Sequence, residues 1–250
     1  MNPRTLLAFG AALLVAAASA AAAPPYDAAR YESCMSLARS DPQKGLEAGI
    51  AWRKSGGGAV ADHCVATALV ARGDTAEGAR LLEELAAEED NPATRAKLFG
   101  QAGRAWLAEG DNRRAWGALD DGLRLDPQSS DMLIDRAIAN AGLGLTFEAI
   151  DDLNRTLELA PGRADALVLR GTAWRRLNSL DLAEDDIGRA LAIAPRNVDA
   201  LLERGNLRRL RGKAAEARAD FVAVMGLDPN GPAGKAARRS VEAMDSGKQK

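Results

Sequence analysis

Histidine, cysteine and aromatic residues are all scarce in this chain of 250 residues, and so is any surplus of charge. A single histidine, His63, excludes a multi-histidine metal centre and leaves few ways to assemble a histidine-based catalytic set. The 33 basic and 35 acidic residues nearly cancel, so nothing draws the whole molecule toward nucleic acid or an anionic membrane surface. No H-E-x-x-H, G-x-S-x-G, Gly-rich phosphate loop or Cys/His cluster occurs, and acidic pairs such as Glu83-Glu84 and Asp185-Asp186 read as solvated charges on amphipathic helices. An enzyme, a bound metal and a cofactor are therefore not expected. Aromatics are 4% of the residues while Ala, Leu and Arg abound, a bias toward high helix propensity and small packing volume, so helices packed on helices are expected.

One long apolar run is present, at the N-terminus. Arg4 precedes an uncharged stretch from Leu6 to Ala18, and Ala18-Ser19-Ala20 is an A-x-A-like cleavage site followed by Pro24-Pro25. Residues 1–22 read as a secretory signal removed on export, with the cut between Ala20 and Ala22. No later stretch is long enough to span a bilayer, so a soluble periplasmic protein is expected, without stable membrane insertion. Export alters the reading of Cys34 and Cys64. In an oxidising compartment the pair favours a disulfide, worth about 3 to 4 kcal/mol for the loop it closes. Free thiols, a redox pair and a metal site with His63 are the alternatives, the last two weakened by the lack of a fourth ligand and of C-x-x-C spacing.

A period of 34 residues organises most of the rest. Pro127, Pro161, Pro195 and Pro229 keep that spacing, as do the small residues Gly103, Ala137, Gly171 and Gly205, the alanines 115, 149, 183 and 217, and bulky Leu119, Leu153, Ile187 and Phe221. Gly110, Gly144, Asn178 and Gly212 form a column of residue types that accept left-handed backbone, as a residue ending one helix before a tight turn must. Each unit thus reads as helix, turn, helix, closed by Pro. Arg136, Arg170 and Arg204 keep step with Asp152, Asp186 and Asp220, which predicts ion pairs between the two helices of a unit. Asp131, Asp165 and Asp199 fall in first turns, where a carboxylate complements the helix dipole.

These columns, read most completely in Phe99, Gly103, Trp106, Ala115, Leu119 and Pro127, resemble the tetratricopeptide repeat family. The resemblance implies an all-α fold, a right-handed α-solenoid, with repeats at 96–129, 130–163, 164–197 and 198–231. Residues 26–92 read as degenerate helical repeats, with a turn at Gly73-Asp74 and a break at Asp41-Pro42, and residues 232–250 as a capping helix and tail. Cys34 and Cys64 then fall on first helices of adjacent units, which supports the bridge. Gly171 is expected to face Ala183, with Leu167, Trp174 and Ile187 as core.

By the same resemblance the first helices line an inner, concave wall, which carries Arg104, Ile138, Asn140, Thr172, Arg175, Arg176, Leu202, Asn206 and Arg209. Arginine, amide and aliphatic side chains of this kind suit an extended peptide or a partner helix. Family members that grip a terminal carboxylate use a Lys and Asn set on successive first helices, which Asn206 and the arginines match only in part, so that activity is not carried over. The expected role is a protein-binding scaffold of the bacterial cell envelope, the alternative an accessory factor of an envelope polysaccharide or secretion machine. Residues 201–250 hold 11 basic and 6 acidic residues, Arg238 and Arg239 among them, an excess that reads either as the solubilising cover of a terminal repeat or as the dock of an acidic partner reached by Arg175 and Arg209.

Overall fold

The computed structural model describes residues 27–247, so the expected signal at residues 1–22 lies outside the described residues. Within them the chain forms thirteen α-helices: α1 (Ala28–Ser40), α2 (Pro42–Lys54), α3 (Gly58–Arg72), α4 (Thr75–Glu88), α5 (Pro92–Glu109), α6 (Asn112–Leu125), α7 (Ser130–Gly142), α8 (Thr146–Leu159), α9 (Ala164–Arg176), α10 (Leu180–Ile193), α11 (Val198–Leu210), α12 (Ala214–Leu227) and α13 (Pro232–Gly247). Each packs on the next, and odd-numbered helices also meet one another, the arrangement of an α-solenoid.

Local chemistry sets the boundaries. Gly110, Gly144 and Gly212 take φ of 85, 80 and 76°, and Asn178 takes 59°, so the turn column is left-handed in all four units. The prolines stand two residues beyond the ends of α6, α8, α10 and α12, where the ring stops the helix. Asp41 accepts from the Lys44 amide to cap α2, with Pro42 in the first turn, and Asp111, Ser129 and Asn197 cap α6, α7 and α11 in the same way.

The small columns let paired helices touch. A Cβ on Gly103 would lie 2.4 Å from Leu119, one on Gly205 2.6 Å from Phe221, and one on Gly171 3.0 Å from Ile187 and 3.3 Å from the Ala183 carbonyl. Enlarging Gly103 or Gly205 costs about 1–3 kcal/mol through overpacking. Leu119, Leu167, Ile187 and Phe221 are fully buried. Trp174 departs from expectation, being half-buried at the edge of this core.

The charged columns clamp the pairs. Arg136 donates to Asp152 at 3.1 and 2.6 Å, Arg170 to Asp186 at 2.8 and 2.6 Å, and Arg204 to Asp220 at 3.1 and 2.7 Å. These forked pairs have buried aspartates, so removing one partner costs about 3–5 kcal/mol. Arg136 and Arg170 also reach back 2.8 Å to Asp120 and Asn154 of the preceding pair, tying units together. At the N-terminal end Cys34 of α1 is bonded to Cys64 of α3, with Cα atoms 6.1 Å apart and both residues buried.

Candidate functional site

The odd-numbered helices form one continuous wall, and cross-helix contacts run along it. With His63 as the Nε2–H tautomer, the Tyr31 hydroxyl on α1 donates to Nδ1 at 2.8 Å and Nε2 donates to Gln101 Oε1 on α5 at 2.8 Å. Arg104 of α5 stands 3.7 Å from Asp135 of α7, and Arg175 of α9 is hydrogen-bonded to Glu203 of α11. Helical spacing puts positions 135, 138 and 142 of α7, 169, 172 and 176 of α9, and 202, 206 and 209 of α11 on the same side of their helices.

Between α7, α8 and α9 the wall opens into a cleft of about 290 Å³. Ile138, Ala141, Leu169 and Ala173 line it with Leu153, while Thr172, Arg176, Thr146 and Asn112 of α6 supply polar groups. Its size suits one or two aliphatic side chains rather than a whole cofactor. The Thr172 hydroxyl is already donated to the Val168 carbonyl, whereas Arg176 is exposed and has no carboxylate within 4 Å among the described residues.

The expected wall residues do not all reach this surface. Asn140 is 2% exposed, and its Nδ2 donates to Asp152 at 3.0 Å inside the Arg136 clamp, so it is withdrawn as a partner-binding residue. It lies one turn after Arg136 and Ala137, on the side of α7 that packs inward. Arg175 is half-buried and engaged by Glu203, so it too is withdrawn, and Asn206 donates to the same carboxylate at 3.3 Å. Arg104, Thr172, Arg176 and Arg209 remain on the wall, Arg104 with a side chain 53% exposed.

Three residues of the wall helices were missed: Asp135, Leu169 and Glu203, the last of them buried. Gln101, Asp135, Leu169 and Glu203 share one column of the 34-residue period, and its mixture of amide, carboxylate and aliphatic side chains was the available signal. Burial pushes the Asp135 carboxyl up to about 6, with the Arg104 charge opposing it. Its Oδ2 is buried and accepts no hydrogen bond. Among the described residues no cluster of His, Cys, Asp and Glu is placed to hold a metal ion, and no helix is long and apolar enough to cross a membrane.

No family model and no curated protein sequence matches this chain. Solved structures do. MamA from Desulfovibrio magneticus RS-1 superposes with a TM-score of 0.59 at 23% identity, over 68% of this chain and 95% of that one. YrrB, described as a TPR protein with an unusual peptide-binding site, superposes with 0.56 at 16% identity, over 77% of this chain and 96% of its own. A tetratricopeptide repeat protein from Parabacteroides merdae gives 0.57 at 24% identity, over 66% and 64%. The chain has the tetratricopeptide-repeat fold, an all-α solenoid.

Proposed function

We propose that this protein is an interaction scaffold of the bacterial cell envelope that holds a segment of another protein against the odd-helix wall, its inner face. The observation that carries the reading is the cleft between α7, α8 and α9: a largely apolar recess beside Arg176, whose guanidinium has no carboxylate within 4 Å among the described residues. An aliphatic side chain of the partner fills the recess, and the Arg176 guanidinium takes a carboxylate or carbonyl beside it. That YrrB is described by its peptide-binding site supports this use of the fold. The signal-like sequence of residues 1–22 and the Cys34–Cys64 bridge support export to the periplasm. The excess of basic residues beyond position 200 supports an acidic partner. The role is binding, without a catalytic step.

A photo-crosslinking residue at Ile138 tests the reading in envelope extract. The expected result is one defined protein adduct that disappears when Leu169→Trp fills the recess while helix content is unchanged. Crosslinking that is indifferent to the filled recess overturns it.

A further inference from the structure

The arginine column that includes Arg175 ends differently at the C-terminus of the solenoid. Arg175 and Arg209 are 34 residues apart, on α9 and α11. The next odd-numbered helix, α11, answers Arg175 with the buried carboxylate of Glu203. The next odd-numbered helix after α11 is α13, which presents no carboxylate there: toward Arg209 it offers Ala236, Ser240, Ala243, Met244 and a second cation, Arg239. These residues line a cleft of about 560 Å³, and both guanidiniums are exposed with no carboxylate within 4 Å among the described residues. Several other arginines of this end are engaged, Arg204 and Arg208 with Asp220, Arg211 with Asp181 and Glu184, Arg218 with Asp245 and Arg238 with the Pro229 carbonyl, while Lys213 and Lys235 stand exposed with no carboxylate within 4 Å among the described residues. Arg209 and Arg239 therefore share one recess, on the wall side, where like charges without a counter-ion repel.

A cap that served only solubility has no need to face its cations into a recess of the wall. Arginine binds carboxylates through parallel N–H donors, and Ala236, Ala243 and Met244 supply an apolar surface for the methylenes that carry the acid. The Ser240 hydroxyl is donated to the Ala236 carbonyl, which leaves the two guanidiniums as the charged donors. We propose that the cleft between α11 and α13 is a carboxylate-binding site for the acidic side chains of a protein segment, so that the C-terminal helix is half of a binding site as well as the cover of α12. This rests on the scaffold reading above and adds to it a location and a ligand chemistry.

The test uses the purified full chain with its arginine Nε–H signals assigned by NMR, and four probes. The first is the hexapeptide Glu-Leu-Glu-Glu-Leu-Glu, acetylated and amidated. The second carries Gln at each Glu, the third is that Gln peptide with a free C-terminal carboxylate, and the fourth is polygalacturonate. The Glu peptide is expected to shift Arg209 and Arg239, and Arg209→Gln with Arg239→Gln to weaken its affinity by about tenfold with helix content and Tm unchanged. The site falls if the Glu peptide moves only Arg104 or Arg176, if the double variant binds it as well as wild type, if only the free-terminus peptide or the polysaccharide binds, or if no probe binds. Loss of this site with intact crosslinking from Ile138 leaves the scaffold reading standing, whereas crosslinking indifferent to Leu169→Trp removes that reading whatever the arginines do.

Discussion

Asp135 lies on the wall with one carboxylate oxygen buried and unbonded, and its nearest cation, Arg104, is 3.7 Å away and largely solvated. Because burial lifts its carboxyl to about 6 from the usual 3.8, the folded chain holds that proton more tightly than the unfolded chain does. The contribution is therefore unfavourable above about pH 6 and is relieved as pH falls from 6 toward 3.8. Asp135→Asn should raise stability at pH 7 by about 1–3 kcal/mol, and the gain should vanish as pH falls toward 4. Urea unfolding of both proteins across this range measures it, and a gain independent of pH would show that the carboxylate is not desolvated.

At the scale of single helices the units are unequal in how they begin. Asp111 caps α6 by accepting from the Arg114 amide at 3.0 Å, whereas Leu145, at the same place one unit later, makes no capping bond to α8. Leu145 is also exposed, beside Phe147 at 66% exposure, so its side chain gains little from packing. Leu145→Asp restores the side-chain acceptor and adds a carboxylate at the positive end of the helix dipole. It should stabilise the protein by about 1 kcal/mol, read as a higher urea midpoint at unchanged slope. An unchanged or lower midpoint would show that the exposed leucine is held by a contact worth more than a cap.

In the whole molecule each helix pair is supported mainly by its neighbours, so the ends have the least cover. The N-terminal end is stapled: the bridge from Cys34 to Cys64 joins α1 to α3, and α2 lies between them in sequence. Closing that loop contributes about 3–4 kcal/mol. Reduction should therefore release α1 and α2 first. Thermal melting followed by circular dichroism is expected to show an early loss of helix signal, in proportion to those two helices, only when reductant is present. Superposable melts with and without reductant would place the N-terminal stability elsewhere. The C-terminal end has no such staple and relies on α13, whose Ala233, Ala237 and Val241 join the core that Phe221 and Val224 extend to it.

The amino-acid sequence alone determined the all-α class, the 34-residue unit, the left-handed turn positions, the proline stops and the Arg–Asp clamps. All of these depend on separations within one helix or one helix pair, and a constant spacing of 16 residues from Arg170 to Asp186 is already a statement about facing turns. Which of two adjacent arginines meets solvent was decided only by the tertiary structure. Arg175 and Arg176 are about 100° apart around α9, and the placement of α11 beside it gives Arg175 to Glu203 and leaves Arg176 in the cleft. Asn140 was lost to the Arg136 clamp inside its own helix pair, whereas Arg239 was brought to Arg209, as Glu203 was to Arg175, by the packing of successive units. The rise and rotation from one helix pair to the next set these contacts, and they arise from the packing of buried side chains in three dimensions, which helical periodicity within one element does not encode.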